Sequence, residues 1–134
     1  GSKNVLHLHE EVKKLVSKSD PNELIDLQTW EHTEDMLDSK GWLLRPFIVW
    51  FGEAVPNIEP AISLCEQADI MIVIGTSLNV YPAAGLLSYA KSSCVKYLVD
   101  PKEPNTSLKG IEFIKEKASV GVKIVVDDII SKYI

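Results

Sequence analysis

Arginine is nearly missing from this 134-residue sequence: Arg45 stands alone among 14 basic residues, against 19 Asp and Glu. Surfaces that track nucleic-acid phosphates need clustered Lys and Arg, so a formal net charge of −5 argues against nucleic acid as a partner. Cysteine is scarce too. Cys65 and Cys94 are far apart and form no C-x-x-C pair, so neither a disulfide nor a zinc framework is expected, and a reducing cytoplasm is the expected compartment. No apolar run approaches the ~20 residues of a membrane helix, no secretory signal is legible, and repeats are lacking. What is present is a hydrophobic fraction of 46%, enough for the core of one compact domain.

Composition shifts once, near Arg45. Residues 10–44 are polar and charged, with weak periodicity, and His32 sits there in an acidic stretch expected to be solvated. From Leu43 onward strand-like and helix-like segments alternate. The clearest element is residues 70–74, five apolar side chains ended by Gly75, which reads as a parallel strand covered on both faces. A helix is expected over 59–68, with Pro60 in its first turn and Ile62, Cys65 and either Leu64 or Ala68 as its buried stripe. A second helix is expected from Pro82 through residue 92, then a strand over 95–99, a strand over 111–114 and a helix over 119–132. Strands separated by helices imply βαβ crossovers and a parallel sheet.

In an open parallel sheet, ligands sit beyond the carboxyl ends of the strands. Gly75, Thr76 and Ser77 lie at one such end, and Asp100 at the next, 25 residues on. Glycine permits close approach of a ligand to the backbone, hydroxyls meet phosphate or ribose oxygens, and a carboxylate accepts hydrogen bonds from a ribose diol. Turn capping uses the same residue types, so spacing alone leaves nucleotide binding and turn chemistry equally open. His7 and His9 alternate with Leu6 and Leu8, as two surface histidines on a strand end would; no third ligand makes them a metal site. Trp50 and Phe51 read equally well as core aromatics. Cys65 reads as packing, and Cys94 has no activating neighbour except Lys96.

Three motifs are more specific. Gly75-Thr76-Ser77-Leu78-Asn79-Val80-Tyr81-Pro82-Ala83-Ala84-Gly85, Arg45-Pro46-Phe47-Ile48-Val49-Trp50-Phe51-Gly52-Glu53 and Asn4-Val5-Leu6-His7-Leu8-His9 together resemble, in order and spacing, the carboxyl-terminal half of a sirtuin, an NAD-dependent protein-lysine deacylase. The resemblance implies an α/β fold: a partial Rossmann-like, doubly wound parallel sheet of about three strands with flanking helices over residues 45–134. Residues 1–44 are then a catalytic-histidine strand followed by a polar segment. It also implies roles. His9 would be the general base, drawing a proton from the ribose after the acyl-lysine oxygen attacks the anomeric carbon and expels nicotinamide; imidazole suits this because its ordinary pKa of about 6.5 is near working pH. Val49, Trp50, Phe51, Gly52 and Glu53 would wall the acyl-lysine cleft, with substrate backbone adding as a strand between them and Asn79, Val80 and Tyr81. Gly75, Thr76, Ser77 and Asp100 would contact the NAD riboses and phosphates, with Ser119 and Val120 near the adenine.

The sequence departs from that family in four ways. The glycine-rich phosphate loop and the Asn and Asp that bind nicotinamide belong to the family's amino-terminal half, so NAD affinity is expected to be weak and turnover to need a complementary half. Glu10 follows His9 where the family usually has glycine; it is expected to hinder substrate, raise the histidine pKa, or both. Residues 10–44 contain no cysteine where most sirtuins carry four zinc ligands, so no zinc is expected. Asp100 stands where asparagine is frequent, a mild change because both accept hydrogen bonds. In a sheet of order 3-2-1-4-5-6 the run at 70–74 would be the fourth strand and an exposed edge here, expected to pair with an amino-terminal sirtuin fragment or a second copy. Alternatives are a non-catalytic binding or oligomerisation module derived from a sirtuin, or ADP-ribosyl transfer by the same bond activation.

Overall fold

The computed structural model describes residues 2–29, 31, 33, 35–104 and 109–133; the expectation for His32 lies outside them. The chain divides into two compact units, Gly1–Asn57 and Ile58–Ile134.

The first unit is built on an antiparallel sheet of order β2-β1-β3, formed by β1 (Glu10–Ser17), β2 (Leu24–Asp26) and β3 (Leu44–Ile48). Leu15 lies opposite Ile25 and Pro46, and Val16 opposite Leu24 and Arg45. Leu15, Val16 and Leu44 are buried. Pro46 is tolerated because β3 is an edge strand, where a missing N–H leaves no ladder bond unmade. Two strands thus lie within residues 10–44, where no regular element was expected. A register shift between Glu10 and Leu15 explains why the period-2 signal is missing from the sequence. The connection to β3 is organised by Asp38, which is buried. Its Oδ1 accepts from the backbone N–H of Lys40 and of Trp42, both at 2.8 Å, and its Oδ2 accepts from Ser17 Oγ at 2.6 Å. Gly41, at φ 83°, supplies the left-handed residue this tight loop requires.

The second unit carries a parallel sheet of order β4-β5-β6: β4 (Ile70–Ile74), β5 (Val95–Val99) and β6 (Glu112–Ile114). Around it lie α1 (Ile58–Gln67), a 3-10 helix (Ala83–Tyr89) and α2 (Ala118–Tyr133). The strands and outer helices fall where the sequence places them. The expected second α-helix is instead a short 3-10 helix; it has Gly85 at its start, and the Gly85 N–H bonds the Pro82 carbonyl three residues back at 2.9 Å. On α1, Ile62 and Cys65 are half-buried, as is Ala68 just beyond its end, whereas Leu64 is exposed and the buried residue is Ala61. Tyr97, Val99 and Val125 form the core, with Ile70, Ile72, Val95, Ile114 and Ile129 packed on it. Each fully buried aliphatic side chain there stabilises by about 1.5–3 kcal/mol relative to exposure. No helix among the described residues is long and apolar enough to cross a membrane.

Candidate functional site

In the first unit the backbone brings His9 to the segment after β3. The Val49 N–H donates to the His9 carbonyl at 3.3 Å, and Glu10 pairs with Ile48. The residues before β1 are not a strand: Leu8 and His9 form a turn and the ladder begins only at Glu10, so His7 and His9 do not share a strand face. Glu10 itself, at φ 67°, breaks the extended run. His7 is held separately: its carbonyl accepts from Asn57 Nδ2 at 2.8 Å and its Nε2 lies 3.9 Å from Glu11.

The segment after β3 is a tight turn. Glu53 N–H donates to the Trp50 carbonyl at 3.0 Å, Trp50 N–H donates to Glu53 Oε2 at 3.1 Å, and Gly52 adopts φ 91°. Phe51 is 98% exposed and Trp50 52%, so these rings are presented to solvent and are not core aromatics. Arg45 fastens the turn from behind: Nη1 donates to the Ile48 carbonyl at 3.0 Å and Nη2 lies 3.4 Å from Glu53 Oε1. Burial pushes the Glu10 carboxyl above the usual carboxylate range; Arg45 opposes that rise and Glu53 adds to it.

In the second unit β4 ends at Gly75, whose φ of 64° turns the chain while its N–H still bonds the Val99 carbonyl at 2.9 Å. Thr76 Oγ1 accepts the Leu78 N–H at 3.1 Å, so Thr76 does cap a turn. Ser77, Asn79 and Asp100 line a cavity of about 290 Å³ at the carboxyl ends of β4 and β5. Asp100 Oδ1 accepts from Lys102 N–H at 2.7 Å, which aims the carboxylate without using Oδ2 among the described residues. Turn chemistry and an open polar cavity therefore coexist here. Lys102, Glu103 and Pro104 also line it; the sequence reading missed them because only their place after Asp100 marks them out.

The remaining candidates lie apart from that cavity. Val80 is 53% and Tyr81 77% exposed, and Tyr81 lines a second cavity of about 530 Å³ with Ser88, Lys96 and Lys109. Ser119 and Val120 occupy the first turn of α2, which Gly121 lets approach β5: a Cβ at Gly121 would overlap the Val99 side chain.

Residues 1–82 match the family model described as the Sir2 family. The chain is 47% identical over 129 residues to an NAD-dependent protein deacylase of Bacteroides thetaiotaomicron, covering 92% of this chain and 55% of that protein. It is 44% identical over 119 residues to an NAD-dependent protein deacylase of Helicobacter pylori, covering 88% and 52% respectively. Among solved structures, a Sir2 homologue in complex with ADP-ribose superposes with a TM-score of 0.83 at 31% identity, over 100% of this chain and 57% of that one. A Sir2 enzyme bound to a propionylated peptide gives 0.76 at 28% identity, over 96% and 57%. The chain spans about half the length of these relatives. With the family model spanning most of the sequence and the fold in agreement, the chain belongs to the Sir2 family.

Proposed function

We propose that this chain carries the candidate base, the acyl-lysine wall and part of the NAD ribose site of an NAD-dependent protein-lysine deacylase. The observation that carries this is the hydrogen bond from Val49 N–H to the His9 carbonyl, which keeps the imidazole-bearing residue beside the exposed Trp50–Glu53 turn. The donor set of the Ser77, Asn79 and Asp100 cavity fits a ribose: a hydroxyl, an amide and a carboxylate meet vicinal hydroxyls at strand carboxyl ends. Gly75 and Thr76 frame that turn, and Ser119 and Val120 contribute at the adenine end. NAD, when bound, would supply the anomeric carbon that the acyl oxygen attacks, the nicotinamide that leaves and the ribose hydroxyl that takes the acyl group.

His9 takes a proton from a hydroxyl at its imidazole, a task that requires a ring open to the ligand, and His9 is exposed. Val49, Trp50 and Phe51 offer apolar surface and backbone to an extended acyl-lysine peptide, while Gly52 and Glu53 fix the turn. Turnover is expected when the region of the relatives outside this chain's match is also supplied. β4 has β5 on one side only among the described residues, and Ile74 is 45% exposed, which suits pairing with that region or a second copy. A monodisperse monomer by light scattering, with slowly exchanging amides along residues 70–74, would contradict that pairing.

The test is a mixture of this chain, the remaining region of a related deacylase, an acyl-lysine peptide and NAD. Nicotinamide release requiring all four is expected; a silent mixture of folded components overturns the proposal. A second reading, a peptide-binding module without turnover, is favoured by one feature, the left-handed Glu10 beside His9. It predicts peptide binding that ignores His9→Ala.

A further inference from the structure

We propose that Glu10 is a specificity-determining residue, selecting acyl-lysine substrates that carry a cationic side chain beside the modified lysine. This rests on the deacylase reading above and names the substrate class of the same site.

Glu10 directly follows the candidate base and lies opposite Ile48, one residue before the wall begins. Its backbone is left-handed, φ 67°, and the ladder shifts register between it and Leu15. Irregularities of this kind re-aim a side chain, and they concentrate beside functional sites. Glu10 is half-buried as a residue, and its carboxyl forms no hydrogen bond or ion pair among the described residues. Arg45 offsets only part of the cost of desolvating this carboxylate, and a cation brought by a ligand removes more of it.

Arg45 acts on Glu10 only through space, because its hydrogen bond and its ion pair go elsewhere. Arg45, the only arginine, already serves the Ile48 carbonyl at 3.0 Å and Glu53 at 3.4 Å. Glu53 is in turn committed to the Trp50 N–H and Arg45, which leaves Glu10 as the carboxylate open to substrate. Acidic residues outnumber basic ones across Gly1–Asn57, so the surrounding field also favours a cationic peptide over an anionic one. The peptide-bound relative is a Sir2 enzyme that receives an acylated peptide.

The experiment uses the complemented enzyme and two acyl-lysine peptides, identical except that Arg or Glu flanks the modified residue. Nicotinamide release is expected to give a kcat/KM about fivefold higher for the Arg peptide, shrinking as salt is raised. Glu10→Gln should bring the ratio close to one. Glu10→Gly, which suits the left-handed backbone, should do the same and covers the case in which Glu10→Gln misfolds. Equal efficiency on both peptides in the wild type, or a preference that survives both substitutions, overturns the role of Glu10 and leaves the deacylase reading standing. Release of no nicotinamide from either peptide overturns both.

Discussion

Glu10 occupies a backbone conformation that L-residues other than glycine adopt at a cost of about 1 kcal/mol. Glu10→Gly is therefore expected to raise unfolding free energy by about 1 kcal/mol, measured in urea, while removing the charge selection. A stabilising change that costs specificity is the usual sign of strain kept for function. Gly121 is the opposite case. An added methyl would improve helix propensity by about 1 kcal/mol, yet it would meet Val99, Glu116 and Ile114 at once. Gly121→Ala is expected to lose about 1–2 kcal/mol net, read from the midpoint of urea unfolding. The sequence marks neither effect: glycine in a helix looks like a defect until the packing on Val99 is seen, and nothing about Glu10 announces φ 67°.

Among elements, β4 is legible and β1 is not. The run from Ile70 to Ile74 is uniformly apolar, as strands of parallel sheets are, and one pattern dominates the segment even though β4 is an edge strand here. β1 carries Glu10, Glu11, Lys13 and Lys14 and changes register part-way, so no period survives in the sequence; β2, three residues long, is too short to show one. The loop between β2 and β3 was equally hidden, since a single buried carboxylate organises it. Hydrogen bonds from Ser17, Trp42 and Lys40 hold the Asp38 carboxyl below the usual carboxylate range, the Ser17 bond foremost. A depressed folded pKa contributes stability that is complete above the ordinary value of 3.8 and is lost as pH falls through the depressed one. Fluorescence of Trp42, which is 56% exposed at the loop tip, should therefore report loop release on the acid side of pH 4. Asp38→Asn should abolish that acid dependence and loosen the loop at neutral pH; an unchanged acid transition in Asp38→Asn would contradict the assignment.

At the scale of the whole molecule, the candidate groups are divided between the two units. Gly1–Asn57 holds His9, the Trp50–Glu53 turn and Arg45, while Ile58–Ile134 holds the Ser77, Asn79 and Asp100 cavity. Two of the three family motifs fall where backbone geometry is constrained: Gly52 and Gly75 both need positive φ, and their neighbours inherit fixed positions. What motif spacing left hidden were cavity residues such as Lys102 and Glu103, which reach the site only through the turn after β5. The most direct test of the central claim is the kcat/KM for nicotinamide release by the complemented enzyme, comparing wild type with His9→Ala. If His9 is the base, the substitution lowers kcat/KM by about 100-fold or more, with peptide binding retained. An unchanged kcat/KM in His9→Ala would contradict it.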